Sequence, residues 1–436
     1  MLGRVVQAVR PAADEPRVVF DITGAVAGPG AYAFAVTVPP DRGAAGFVGA
    51  DGSSDQPTLR LPQEPAPAPS SAPSTVPSTV PTGGPTGEPL AESLPMPSDP
   101  ATAYPATSPP AGSPECVLGE LLVPSCGVLW GAAPSGHTGA PRTESLAEFE
   151  TTTGRRQDIY HAYHRGRTMF PTPEEAAIAA QGRLLFLNWK PQRWSWAQIA
   201  SGYPAVDTYL DRLAAHIKAT FPEPFFFTVH HEPENDVRPW PGSGAQVADY
   251  AAMFRYVVER LRANGVDNLV TVMSYMAYVP WNTRPWFPDL YPGDDVVDWI
   301  AWDSYAYSDP GYGHGDFGEL MNRRSSTHPD WPGFYTWATE QFPDKPFMLG
   351  EWGVWHSPRN PGHMAQLYDS VARQTPLFPR MKALVYFDTP SDQRARDSRP
   401  ERTEDGLAAY QRLGAAPYFQ VRLAPGPPGY AGDAGR

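Results

Sequence analysis

Phe225-Phe-Phe-Thr-Val-His-His-Glu-Pro-Glu-Asn235 begins as an apolar run of strand type and turns polar at Glu232. The same pattern returns at Lys345-Pro-Phe-Met-Leu-Gly-Glu-Trp-Gly353, where Glu351 ends a second apolar run. In a (β/α)8 barrel the chemistry gathers at the carboxyl ends of the parallel strands, so acids at two such ends can converge on one bound molecule. Glycoside cleavage needs such a pair: one carboxyl protonates the leaving oxygen while the other attacks the anomeric carbon or activates water, and no cofactor takes part. The two stretches therefore predict a polysaccharide hydrolase with Glu232 and Glu351 as its acids. Glu234, two residues on, is the competing choice for the first role.

Working outward, strand-like runs fall at 127–133, 158–164, 184–190, 225–231, 268–275, 296–305, 347–352 and 382–388. Helical periodicity lies between them, clearest over 206–217 and 247–261, where apolar residues recur at three- and four-residue spacing. Eight such units over 115–420 predict an α/β fold, a (β/α)8 barrel. Residues 1–61 read as an all-β fragment, with strand-like runs at 17–22 and 31–38 broken by Gly28-Pro-Gly30. Residues 62–114 hold 16 of the 53 prolines, no Lys or Arg and one aromatic, Tyr104, so they cannot build a core and read as a disordered, extended spacer. A Gly/Pro-rich tail follows at 421–436.

The formal charge of -13 argues against nucleic acid or an anionic membrane surface as partner, since both demand a basic face, and favours a neutral polysaccharide. A monomer is expected. No stretch approaches the roughly 18 apolar residues of a membrane span. Cys116 and Cys126 flank a short loop just before the first barrel strand; a disulfide there would contribute about 2–3 kcal/mol, with two buried thiols as the alternative. The proline-rich spacer and this cysteine pair suit an extracellular protein, although Met1-Leu-Gly-Arg-Val-Val-Gln-Ala-Val-Arg10 has no hydrophobic signal region. His161-x-x-His164 falls on a predicted strand, where that offset sends the rings to opposite faces, so no metal site is expected. Gly311-Tyr-Gly-His-Gly315 lacks the spacing of a phosphate cradle, and no GxSxG elbow occurs.

The motifs carry two resemblances. His231-Glu232, Pro346-Phe-Met-Leu-Gly-Glu-Trp-Gly353 and Val297-Asp-Trp-Ile-Ala-Trp-Asp-Ser-Tyr305 resemble the family-26 glycoside hydrolases over about 300 residues. The resemblance implies a retaining, endo-acting enzyme on a barrel, with Glu232 as acid/base after strand four and Glu351 as nucleophile after strand seven. It further implies that Tyr305 orients the nucleophile, that His231 helps hold substrate or the acid, and that β-1,4-mannan is the substrate. Pro233-Glu-Asn-Asp-Val-Arg-Pro-Trp240 departs from the usual mannanase pattern, which leaves mixed-linkage β-glucan, β-1,3-xylan and a non-catalytic carbohydrate-binding barrel as alternatives. Phe387 stands where the clan usually has tryptophan. The second resemblance joins Phe20–Phe34 and the following Ala45-Gly-Phe, about 45 residues in all, to the C-terminal half of DNRLRE-type β-sandwich modules.

Thirteen tryptophans provide flat apolar faces on which sugars stack. Trp189, Trp194, Trp196, Trp281, Trp286, Trp352 and Trp355 fall in predicted loops at strand ends, and about half of these are expected in the core. Trp189 and Trp352, each close behind a predicted strand, are expected in the cleft.

Overall fold

The computed structural model describes residues 116–310, 315–325 and 327–421. The expected β-fragment at 1–61, the spacer at 62–114 and all but the first residue of the 421–436 tail lie outside the described residues.

Eight parallel strands close into a barrel in chain order: β1 (Leu129–Ala133), β2 (Ile159–Arg165), β3 (Leu184–Lys190), β4 (Phe225–Val229), β5 (Leu269–Tyr275), β6 (Trp299–Tyr307), β7 (Phe347–Trp355) and β8 (Met381–Phe387), the last pairing with the first. Helices fill the connections, among them α1 (Arg142–Thr153), α2 (Pro173–Ala180), α3 (Trp196–Ala200), α4 (Pro204–Thr220) and α5 (Val247–Ala263). The expected (β/α)8 barrel is present, with every predicted strand in place.

Local chemistry sets these boundaries. At the start of α2, the Thr172 hydroxyl accepts from the Glu175 backbone N–H at 3.2 Å, and Glu175 Oε2 accepts from the Thr172 N–H at 2.8 Å, while Pro173 supplies a first-turn residue that needs no partner. Helix α4 buries Val206, Leu210, Leu213 and Ile217 as one stripe against the barrel.

The side-chain period of two divides each strand between two cores. Leu129, Ile159, Phe186, Phe226, Val272, Trp299, Met348 and Val385 fill the barrel interior, while Trp130, Tyr160, Leu187, Phe227, Met273, Trp302 and Tyr386 pack outward beneath the helices. The amino-terminal end of the barrel is stoppered. Cys116 and Cys126 are joined by a disulfide, and the short loop it closes packs Leu122 onto the interior cluster and takes the Trp299 indole N–H on Leu121 O at 2.7 Å. The opposite, carboxyl-terminal mouth is left for chemistry.

Candidate active site

Glu351 lies inside β7, and a bulge aims it. In the pairing with β6, Trp302 faces Leu349 but Asp303 already faces Glu351, so Gly350 is an extra residue. Leu349 and Trp352 both point outward, and the bulge turns Glu351 into the barrel between them. Only glycine fits at 350: a Cβ there would meet Asp303 Oδ1 at 2.8 Å and Ser274 Oγ at 3.0 Å.

Both oxygens of Glu351 are engaged. Tyr163 of β2 donates to Oε1 at 2.6 Å and Tyr305 of β6 donates to Oε2 at 2.5 Å. His231 Nε2 stands 3.6 Å from Oε1. Burial pushes the Glu351 carboxyl up from its ordinary value, and the two hydroxyls oppose that rise by stabilising the charged form.

Glu232 is presented differently. It lies beyond the end of β4 with φ 51°, and His230 two residues earlier has φ 54°, so the turn out of the strand holds two side-chain-bearing residues in left-handed backbone. Such strain is stored where surrounding bonds overdetermine it. Here the Glu232 N–H donates to Ser274 O at 3.0 Å, Trp196 Nε1 donates to His230 Nδ1 at 3.0 Å, and His230 Nε2 meets Asp236 Oδ2 at 2.8 Å. The Glu232 carboxylate is half-buried and takes one amide, from Asn235 at 3.2 Å. Burial, with the charges of Glu351 and Glu234 beside it, pushes its carboxyl up to about 8. Near neutral pH this acid keeps its proton.

Glu234 is the competing acid. It is fully buried, accepts from the Met276 N–H at 2.9 Å, and burial raises it to about 8 as well. His231 Nδ1 is hydrogen-bonded to the Asn188 amide, and burial holds the ring neutral, well below its ordinary range. Phe387, the last residue of β8, has its ring centroid 6.2 Å from both Tyr163 and Tyr305, and so borders the two tyrosines that grip Glu351.

Trp189 and Trp352 require correction. Neither reaches the cleft: both are completely buried among the outward-facing residues, Trp189 stacked on Tyr209 of α4 and Trp352 edge-on to Tyr386. The reason is the strand period, because Asn188 and Glu351 face inward and their successors must face out. Trp355, four residues beyond Glu351, does reach the site and stacks on Tyr305 at 4.6 Å. Sequence reasoning also missed Tyr163 and Asp303. Asp303 is buried beneath Glu351 with Oδ1 accepting from Ser274 at 3.2 Å, and burial together with Glu351 and Glu232 drives it well above the carboxylate range. Counting alternate residues inward from His161 finds the first, and counting back from Tyr305 finds the second.

His161 and His164 face opposite sides as expected: His161 stacks on Phe186 inside the barrel, and His164 meets Glu175 outside at 3.0 Å. His231, Asp303 and Glu351 each place one ligand-type atom within 4.8 Å of the others. Both Glu351 oxygens there accept from tyrosine hydroxyls.

A buried carboxylate held by two hydroxyls, at the same mouth as a second carboxyl that burial and neighbouring charges push up to about 8, is an arrangement in which two glutamates can divide nucleophilic and acid work. Residues 180–322 match the model of glycosyl hydrolase family 26. The family 26 match runs from the residues before β3 through the short helix Phe317–Met321 and includes His231, Glu232, Asp303 and Tyr305. Endoglucanase H of Acetivibrio thermocellus is 29% identical over 173 residues, 38% of this chain and 19% of that protein, so the chain spans about a fifth of that relative's length. Among solved structures, a modular family 26 endo-β-1,4-mannanase from Cellulomonas fimi is similar, at 18% identity over 67% of this chain and 71% of that one, with TM-score 0.48. A family 26 β-mannanase from Bacteroides ovatus is similar at 16% identity over 67% and 90% of the respective chains, with TM-score 0.46.

Proposed function

We propose that this chain is a retaining, endo-acting glycoside hydrolase of family 26, with Glu351 as nucleophile and Glu232 as general acid and then base. The observation that carries the reading is the unequal setting of the two glutamates at one barrel mouth: two tyrosine hydroxyls on Glu351, a single amide on a half-buried Glu232. In the first step Glu351 attacks the anomeric carbon and Glu232 gives its proton to the leaving oxygen, forming a glycosyl ester on Glu351. In the second, water attacks that carbon while Glu232 takes the proton back, and Glu351 leaves as carboxylate. His231 and Tyr305 position Glu351 and the sugar beside it, and Phe387 contributes to the apolar floor.

The substrate is a β-linked polysaccharide, β-1,4-mannan on the family resemblance. The similarity to Endoglucanase H of Acetivibrio thermocellus favours a β-glucan as the second reading. The Cys116–Cys126 disulfide supports action in an oxidising, extracellular setting. Reducing-sugar release from mannan, glucomannan, barley β-glucan, lichenan and β-1,3-xylan tests the proposal, with Glu351→Ala as control. Activity on one glycan that disappears in the control supports it; silence of the folded protein on every one of these glycans overturns the mannan and β-glucan readings and favours an untested glycan or a binding-only barrel.

A further inference from the structure

Immediately outside the carboxylate centre the mouth changes sign. Tyr163, which grips Glu351, is followed on the same inward face of β2 by Arg165, one pleat or roughly 7 Å further out. Arg165 pairs in register with Lys190 of β3, itself one pleat beyond Asn188, the partner of His231. Above them opens a cavity of about 300 Å³ lined by Arg165, Gly166, Arg167, Gln192 and Arg193. Arg167 also borders an adjoining cavity of about 230 Å³ that contains Arg212. No acidic residue lines either one.

This is unusual for a chain of charge -13. Arg183, Arg255 and Arg260 are each clasped by a carboxylate, at 2.7, 2.6 and 2.9 Å. Arg165, Arg167 and Arg193 are exposed and form no ion pair with any described residue. The nearby acid Asp236 is already taken by Lys190 at 2.7 Å and His230 at 2.8 Å. Arg193 is held at φ 71°, a left-handed conformation that aims its side chain from the β3 loop, and Arg167 lies over the Trp194 ring at 5.1 Å. Three guanidinium groups around one open cavity, on two loops of the catalytic face, form a fork-shaped receptor for anions.

We infer that this cavity is a subsite for an acidic sugar, and that the glycan bound across the mouth carries a carboxylate or sulfate group beside the residues reached by Glu232 and Glu351. The inference rests on the hydrolase reading and deepens it, replacing a uniformly neutral substrate by a β-glycan with acidic units. The net negative charge of the chain is no obstacle, because exposed charges more than about 10 Å away are screened while the three arginines act at contact distance.

The test is calorimetric titration of the full chain with β-1,4-manno-oligosaccharides in three forms: untreated, oxidised at C6 to the uronate, and sulfated at C6. The wild type is expected to bind one acidic form at least about tenfold tighter than the neutral one, and which form wins names the anion. In Arg165→Gln/Arg193→Gln the preference is expected to fall to near unity, as it is in about 0.5 M NaCl. Equal affinity for neutral and acidic forms, no binding of either acidic form, or a preference that survives the double substitution overturns the inference. The polysaccharide panel separates the two readings: if neutral glycans are cleaved while acidic forms gain nothing, the anion subsite alone fails, and if no glycan is bound or cleaved the hydrolase reading fails with it.

Discussion

Glu351 and Glu232 are the same residue type at the same mouth, yet the backbone around them differs in kind. The first sits within β7, turned inward by the bulge at Gly350 and fixed through both oxygens by Tyr163 and Tyr305. The second sits past the end of β4 on two left-handed residues, open on one side and held by one amide. The strand residue is the more buried of the two, and its two hydroxyl donors oppose the rise that burial imposes; the turn residue, with a single amide donor and the charges of Glu351 and Glu234 beside it, has its carboxyl raised to about 8. On the proposed reading, acid and nucleophile differ by environment and not by residue identity.

The harshest way to break this comparison is to remove each partner. Glu351→Ala is expected to take hydrolysis to the assay floor on every substrate. Glu232→Gln should cost on the order of 10²–10⁴-fold on natural glycans but far less on an aryl glycoside whose leaving group needs no proton. Equal losses for both variants on both substrate types would show that the roles are not divided. Steady-state kinetics with the two substrates checks this.

A sharper cut removes one hydroxyl from Glu351. Tyr163→Phe and Tyr305→Phe should each lower kcat/KM by roughly 10–100-fold, the size of one hydrogen bond to a charged group. Each loses a donor to the ionised form, so the Glu351 carboxyl rises and the acid limb of the kcat/KM profile should move to higher pH. Removal of Asn235 from Glu232 moves the other limb, upward in the same sense.

Protonation provides the next test. With Glu232 raised to about 8, kcat/KM should fall about tenfold per unit as pH climbs past 8, and this alkaline limb should be absent in Glu232→Gln. Glu234 separates stability from catalysis. Its folded carboxyl holds a proton to about 8 where the unfolded chain releases it near 4.5, so the folded state binds more protons across that window and stability falls as pH rises through it. Thermal melts from pH 5 to 8 should show a shallower decline for Glu234→Gln than for the wild type.

The smallest effects on turnover are expected from the aromatics. Trp352→Phe should lower Tm and leave KM unchanged, because the ring packs against Tyr386 beneath the helices. Phe387→Ala should raise KM severalfold with a smaller loss of Tm, because its ring borders both tyrosines on Glu351. Melting curves and KM values for the two variants distinguish core from cleft.

The barrel was legible because each strand is a run of apolar residues bounded by polar turns, and the helices between them keep a clean three- and four-residue stripe. Glu232 and Glu351 stand out in the sequence because each closes an apolar run, and the structure sets Glu351 within β7 and Glu232 just beyond β4. Trp189 and Trp352 lie close to strand ends, but the face each takes is set by strand parity, shifted by one in β7 at Gly350. Strand β7 runs on to Trp355, so Trp352 lies within it and faces out. The bulge at Gly350 leaves no periodic signal, and it is what brings Glu351 to the inward face that Met348 occupies. Tyr163 was hidden inside a His-x-x-His spacing that draws attention to metals. The arginine rim was masked by the net charge, which averages over the whole surface what the β2 and β3 loops concentrate.

The central claim is that Glu351, the doubly hydrogen-bonded strand residue, forms the bond to sugar. A 2-deoxy-2-fluoro glycoside with an activated leaving group, matched to the glycan the panel identifies, tests it by trapping the glycosyl ester for peptide mapping. The account predicts one label per chain, on the peptide carrying Glu351 and absent from Glu351→Ala; a label on Glu232, or steady turnover with no trapped ester, would contradict it.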